Sequence, residues 1–444
     1  MTAWYERHDW IILGGTAAGR VAARRATAAG RVAARRAAQA GQRVALVEPR
    51  GGETRSWAEV LVNQGAALAT GTIDWRSLAR QAQWHDRWVA DQRASLAALG
   101  VDVIVGDAIL DRSRQGSLRV RVDDRGLWGR RYLLALPGRS TVPLWTEQTA
   151  VAAYTPDTIA ALTERGVRPG ERWLVTADSP IAIELAQVLR QLGARVTVAA
   201  PGAQVLAGLP SIAAAWLQTE LESQAIEVIC HAAPHQCKVL DGQTWIQIGD
   251  RAQEIDCLLT DGNYQAFLPK GFERLWPRAI GTHDWPANDR LRLPLGSGAD
   301  LYGCGAILGG YPLEPIAQME ALLIVENSLR SPWERPQPIG YEHQPWAIRG
   351  PLPLAVVGGG DRAGQTHELA TPIGRCQIQV DRHQRLQGAC LLAPGAIDAI
   401  SAVAVLLERS DTVQDLVLLP AAQSEAIDLL RQTAQQALAP GPAC

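Results

Sequence analysis

The sequence predicts an α/β protein built from two parallel-sheet units of nucleotide-binding type and an α+β C-terminal domain. Three stretches carry that prediction. Residues 9–48 run from an apolar segment, Trp10-Ile11-Ile12-Leu13, through Gly14-Gly15-Thr16-Ala17-Ala18-Gly19 and an Ala/Arg helix pattern to Val44-Ala45-Leu46-Val47, which closes on Glu48. Residues 172–198 repeat the order: strand Trp173-Leu174-Val175, turn Ala177-Asp178-Ser179-Pro180, a helix over 181–192 capped by Gly193, and a strand over 195–198. The last hundred residues mix the two periods, with strands over 377–380 and 386–392 and helices near 394–408 and 423–437.

In the first unit, glycine at the turn lets backbone approach a pyrophosphate, and the following helix offers unpaired N–H groups and a partial positive charge. An acid at the end of the second strand accepts hydrogen bonds from ribose hydroxyls. The match to G-x-G-x-x-G is imperfect, because Thr16 stands at the second glycine.

This unit contains an internal repeat. Residues 16–26 read TAAGRVAARRA, and residues 27–37 read the same again. Eleven residues make about three helical turns, so the faces stay in register. A continuous helix would nonetheless be about 16 Å too long. The sequence therefore predicts that one copy is looped out or kinked, with the phosphate loop altered.

Between the units, residues 72–98 predict a long amphipathic helix, and 101–105, 118–122 and 132–136 predict strands. A further helix is expected over 209–225, with a strand over 226–229. The Pro-rich stretch 331–353 suits a boundary, and the tail 440–443 should fray. The expected division is 1–150, 151–275, 276–335 and 336–444.

The chain has 444 residues, 47% hydrophobic and 20% charged, enough for several cored domains. A net charge of −2 excludes a general nucleic-acid binder. With no charged-then-apolar leader and no apolar run of spanning length, a cytoplasmic protein without a membrane anchor is expected. The seven cysteines form no disulfide framework, and none precedes Cys230.

These segments together resemble the FAD-dependent pyridine nucleotide-disulfide oxidoreductases, the group of dihydrolipoamide dehydrogenase and mercuric reductase. The resemblance runs from Ile11 to about Ala437. It is carried by LVEP (46–49), LAALGVDVIVGDA (96–108), PIAIELAQVLRQLGARVTV (180–198), YGCGAILGGYPLEPIAQMEALLIVEN (302–327) and GACLLAPGAIDAISAVAVLL (388–407). It implies an FAD domain in two parts, an inserted NAD(P)-type domain and a C-terminal domain that forms a homodimer. It also implies electron transfer from NAD(P)H through flavin to a disulfide. Carried over residue by residue, the FAD contacts fall on Gly14, Gly15, Thr16, Gly19, Glu48, Gly305 and Ala306.

The departures are as specific as the resemblance. Where the family has G-G-T-C-x4-C, this chain reads Gly51-Gly52-Glu53-Thr54-Arg55-Ser56-Trp57-Ala58-Glu59, without either cysteine. Thiol exchange needs a thiolate attacking a sulfur, so that chemistry is lost here. The nicotinamide loop becomes Ala177-Asp178-Ser179-Pro180-Ile181-Ala182, with every glycine gone, so NAD(P) binding is not expected, although Glu184 remains at the family position facing the nicotinamide. Ala306 replaces the Asp that would hold the flavin's ribityl chain. The stretch matching the catalytic His motif, 419–425, has no His.

No catalytic residue is assigned. The leading expectation is a divergent FAD-dependent oxidoreductase that is not a disulfide reductase, its electron acceptor unknown. The alternatives are a cofactor-free dimeric interaction protein and an NAD(P)H-dependent flavin reductase with a non-disulfide acceptor. Cys230, His231, His235 and Cys237 are read as a strand end rather than a metal site. Arg20, Arg24, Arg31 and Arg35, on one helical face, are read as a solvated charged face rather than a phosphate site. Gly358-Gly359-Gly360 is read as a turn.

Overall fold

The structure is a computed structural model. It describes residues 5–14, 22–49, 61–63, 90–113, 116–136, 138–139, 142–143, 146, 151–156, 158–176, 179–260, 265–266, 268–275, 287–293, 300–308, 314–331, 333–359, 364–420 and 424–439.

The first sheet grows outward from β1 (Tyr5–Gly14). β1 pairs in parallel with β2 (Val44–Glu48) on one side and with β6 (Arg125–Ala135) on the other. β3 (Asp102–Val105) extends the parallel edge beyond β2. The antiparallel β4 (Ala108–Arg112) and β5 (Leu118–Val122) continue from β6, giving the order β3-β2-β1-β6-β5-β4. The second half of β6 also pairs with β15 (Asp300–Gly303). The alternation of β1 sends Trp10 and Ile12 into one core layer and Ile11 and Leu13 into the other. The first layer is closed by α1 (Ala22–Gln39), by α2 (residues 90–98) and by α5 (Glu314–Leu329); Ala29, Ala33, Ala37, Leu96, Ala317 and Ala321 are all fully or nearly fully buried. Alanines four apart on α1 let the helix lie close to the sheet.

The second sheet has the order β10-β9-β8-β14-β7 and is parallel throughout, from β7 (Ala152–Tyr154), β8 (Arg172–Val175), β9 (Arg195–Ala199), β10 (Glu227–Ile229) and β14 (Cys257–Leu259). Its crossover helices are α3 (Pro180–Gln191) and α4 (Ser211–Ser223). Proline at the first position and Ser179 as cap start α3 where the sequence predicts it. An antiparallel meander, β11 (Pro234–Leu240), β12 (Gln243–Ile248) and β13 (Arg251–Ile255), lies against this sheet and was not foreseen.

The third sheet is antiparallel, in the order β16-β17-β20-β19-β18, from β16 (Trp346–Ile348), β17 (Leu354–Gly358), β18 (Gln365–Ala370), β19 (Arg375–Val380) and β20 (Leu386–Leu392). One face packs on α6 (Ala396–Glu408), α7 (Val413–Val417) and α8 (Glu425–Leu438). The other face joins the core of the second sheet through Leu354, Val356, Cys390 and Leu392. Gly358 and Gly359 have φ of 57° and 74°, the left-handed turn the glycine run allows.

The predicted helix over 72–98 is seen at 90–98; its first part, the tail 440–443 and Gly360 lie outside the described residues. The strand predicted at 132–136 is longer, because β6 must span both β1 and β5. α1 runs unbroken across the junction of the two repeat copies, so no kink occurs there; residues 16–21 lie outside the described residues.

Candidate nucleotide site

The C-terminal ends of β1 and β2 are where a nucleotide unit reads its ligand. The close approach of α1 to β1 is made by Gly30, in the second repeat copy. A β-carbon there would stand 3.4 Å from Ala135 Cβ and Ile12 Cγ2 and 3.6 Å from Gly14 Cα. The helix starts eight residues earlier, at Ala22. Its first turn therefore lies about 12 Å before this crossing point. Of the residues expected to contact FAD, Gly15, Thr16 and Gly19 lie outside the described residues, and Gly14, Glu48, Gly305 and Ala306 are seen.

Glu48 ends β2 as expected, with its side chain only 1% exposed. Both oxygens are engaged by guanidiniums. Arg31 Nε donates to Oε1 at 2.7 Å, and Arg93 Nε donates to Oε2 at 2.6 Å. Arg35, one turn after Arg31, donates from Nη2 to Gln92 Oε1 at 2.5 Å. The reading of this helical face as solvated is therefore corrected for Arg31, which is buried. A carboxylate inside the fold needs charge partners, and the second copy supplies one. Neither Arg31's docking nor Arg93 was foreseen; the only signal was an arginine following each repeat glycine.

At the end of β15, Gly305 has φ of 69° and opens a short 3₁₀ turn, Gly305–Leu308, that contains Ala306. The Gly305 N–H donates to Glu320 Oε2 at 2.6 Å, and Tyr341 Oη donates to Glu320 Oε1 at 2.8 Å. Burial pushes the Glu320 carboxyl up to about 7, against the pull of those two donors.

FAD, which the resemblance implies, needs acceptors for its ribose and ribityl hydroxyls. Glu48 is spent on Arg31 and Arg93, Ala306 has no acceptor side chain, and the Gly305 N–H, a donor, is taken by Glu320. As arranged, the described residues do not fit those two ends of the cofactor.

In the second unit, Pro180 has no N–H and the Ala182 N–H is held by Ser179 Oγ at 3.4 Å, so the start of α3 is capped by its own chain. Asp178 lies outside the described residues. Glu184, 4% exposed, is gripped by Arg349, from the end of β16. The Arg349 amide and Nε donate to Oε1 at 2.8 and 3.1 Å, and Nη2 donates to Oε2 at 2.8 Å. Arg349 Nη1 also donates to Asn63 Oδ1 at 2.8 Å. Gln187 Nε2 donates to the Arg349 carbonyl at 3.1 Å, and a β-carbon at Gly350 would stand 2.2 Å from Gln187 Oε1. A side chain at position 350 would make the Gln187 amide swing aside.

The described thiols are placed for packing. Cys257, Cys304, Cys376 and Cys390 are buried. Burial raises the first, third and fourth to about 12 and Cys304 well above its usual value. A thiol so shifted supplies almost no thiolate near neutral pH. Cys230 and Cys237 are half-buried on either side of the start of β11; the His235 side chain lies outside the described residues.

Among the described residues, the metal-ligating types that converge most closely are Glu6, His8 and Asp102, at the opposite end of β1. Arg125 Nη2 already lies between the two carboxylates, donating to Glu6 Oε2 at 2.6 Å and Asp102 Oδ2 at 2.5 Å. A guanidinium thus fills the place of a cation there. Burial and the nearby Arg43 charge lower the His8 pKa.

Residues 8–260 match the profile of the pyridine nucleotide-disulphide oxidoreductases. No curated protein matches the chain in sequence. Among solved structures, LpdA from Mycobacterium tuberculosis aligns with a TM-score of 0.78 at 19% identity, covering 98% of this chain and 100% of its own. The HOCl-induced flavoprotein disulfide reductase RclA from Escherichia coli aligns with a TM-score of 0.76 at 18% identity, covering 96% and 99%. Its Cu(II) complex gives 0.74. At that identity the structures attest the fold, and the profile, spanning more than half of the chain, attests the lineage: the chain belongs to the FAD-dependent pyridine nucleotide-disulphide oxidoreductase family.

Proposed function

We propose that this chain is a divergent member of the family that does not reduce disulfides. The distribution of thiols carries this reading. No cysteine precedes Cys230, and those buried in the cores have raised pKa values. Beside Gly305 the described residues place one buried thiol, Cys304, and a dithiol relay needs two. The approach of Gly30 to Gly14 supports a retained nucleotide unit at β1–α1–β2, with any electrons passed to an acceptor other than a disulfide. The self-capped start of α3 and the Arg349–Glu184 pair speak against NAD(P) as donor.

Glu48 favours a second reading, a cofactor-free interaction protein, because its carboxylate is satisfied without any ligand. Under either reading the third sheet and α6–α8 are proposed to form a homodimer interface, as the resemblance implies, and the division into four segments given above is proposed with it. A cytoplasmic location fits both; no helix of the described residues is long and apolar enough to cross a membrane.

The test is NADPH- and NADH-dependent reduction of small disulfides by the purified protein, with its visible spectrum recorded after incubation with FAD and gel filtration. We expect no disulfide turnover above the blank; turnover would overturn the main reading. Retained flavin bands support the flavoprotein form, and a colourless, cooperatively melting protein supports the second.

A further inference from the structure

We propose that α1 is a two-register helix: the tandem repeat lets it slide by eleven residues along β1, and a pyrophosphate-bearing nucleotide selects the slid form. The first half stands on the repeat and on the packing of α1. The second rests on reading β1–α1–β2 as a nucleotide unit.

The contacts that dock α1 fall inside one copy. Among the described residues, those of α1 that are buried stand at 29, 30, 31, 33, 34 and 37, within the copy that spans 27–37. Its ion pairs lie there too, Arg31 with Glu48 and Arg36 with Glu326. Each of these residues has an identical twin eleven positions earlier, such as Gly19 for Gly30, Arg20 for Arg31 and Arg25 for Arg36. Eleven residues carry a helix through three turns and about 20°, so twins present the same face. The end of the helix is duplicated as well. Gly41 follows it at φ of 76°, and the Gln42 N–H donates to the Ala37 carbonyl at 3.1 Å, closing a left-handed cap. Eleven positions before Gly41 stands Gly30. A helix slid by one copy therefore brings glycine to the crossing, glycine to the cap, and arginine to both Glu48 and Glu326.

The two registers differ in where the spare eleven residues lie. In the observed one they stand ahead of the docked stretch. Sixteen positions separate Gly14 from Gly30, and α1 carries about two turns past the crossing. Those turns project beyond the end of β1, where a nucleotide unit sets its pyrophosphate against a bare helix N-terminus. In the slid register the crossing glycine is Gly19, five positions after Gly14. That is the spacing of the first and last glycines in G-x-G-x-x-G. The spare copy then lies between the cap and β2. Loop closure depends weakly on length, so moving it from one end to the other changes the balance little. A ligand that binds only the short loop shifts the population by its differential affinity.

Cross-linking to α5 tests this. Glu326→Cys with Arg36→Cys reports the observed register, and Glu326→Cys with Arg25→Cys reports the slid one. Positions 25 and 36 lie about 16 Å apart along the helix, farther than a short rigid bismaleimide reaches. Peptide mass spectrometry identifies each link and separates it from those of the native thiols. Every contact breaks before its twin forms, so the chains are equilibrated for hours. We expect both links, with 36–326 dominant, and ADP should raise the 25–326 yield at least about five-fold. Tryptic digestion of the unsubstituted chain is a second readout that needs no variant: ADP should open Arg35 and Arg36 to cleavage. Absence of the 25–326 link and of that cleavage, with and without ADP, overturns the proposal. A chain lacking residues 27–37 has one copy and one register. If it binds ADP while the full chain's links ignore ADP, ligand selection is overturned and the nucleotide unit stands. If it too fails to bind ADP, the nucleotide reading falls, and the links alone decide whether two registers exist.

Discussion

Glu320 is the residue whose environment contradicts its chemistry most. It is an acid inside the layer between α5 and the first sheet, held by one backbone amide and one phenol, with no cation bonded to it among the described residues. Its carboxyl sits at about 7 when folded against 4.5 as a free side chain. A raised acid favours the protonated folded state, so this contribution is complete below about pH 4.5 and is lost as pH rises through 7. The loss is on the order of 3 kcal/mol at most. Wild-type stability should therefore fall between pH 5 and 8, and Glu320→Gln, which keeps an acceptor for Gly305 without a charge, should flatten that fall. Denaturant midpoints measured across the range check this, and an unchanged slope in the variant sinks it. Such a residue is illegible in sequence: Glu320 stands in an apolar helix beside Met319 and Ala321, and only the fold shows that Gly305 faces it. Glu48 was legible as a strand-end acid, because its position follows from the strand pattern alone. Its partners were not, since the pairing with Arg31 depends on which of two identical copies docks.

Elements follow the sequence where local chemistry and tertiary context agree. α3 was predicted to within one residue at each end because Ser179 and Pro180 set its start and Gly193 follows its end. The meander β11–β13 is weakly marked in the sequence because its first strand begins among the thiols and imidazoles of 230–237, although Thr244, Ile246 and Ile248 alternate inward along β12. α1 is the instructive case. Its sequence is the same twice over, so helical periodicity cannot say which copy meets β1. The structure assigns that contact to Gly30, with room for one methyl group and little more. Gly30→Ala should be near neutral, the tight fit offset by the gain in helix propensity. Gly30→Val should destabilise by about 1–3 kcal/mol, through branches pressed on Ile12 and Ala135. Urea unfolding of the two variants separates them, and equal stability would mean that Gly30 is not at the crossing.

At the scale of the whole molecule, the parts the sequence predicts as nucleotide-type units are present as parallel sheets, and no cysteine precedes Cys230 in the sequence. The broad architecture was readable because strand alternation, glycine turns and helix caps recur along the chain; contacts between residues hundreds of positions apart were not. The joint of Asn63, Glu184 and Arg349 is of that kind, with separations of 286 residues for Asn63–Arg349 and 165 for Glu184–Arg349. Loops of that length close only after the sheets that carry their ends have formed. The joint should therefore be absent from the folding transition state and present in the native state. Arg349→Ala, which leaves Glu184 buried without its cation, should cost about 3–5 kcal/mol. Nearly all of that should appear as faster unfolding, with the refolding rate hardly changed. Stopped-flow chevrons of the two proteins decide it, and a slowed refolding limb would contradict the late-closing joint. The consequence is kinetic: one arginine acts as a latch on the finished protein, governing how long it lasts rather than whether it assembles.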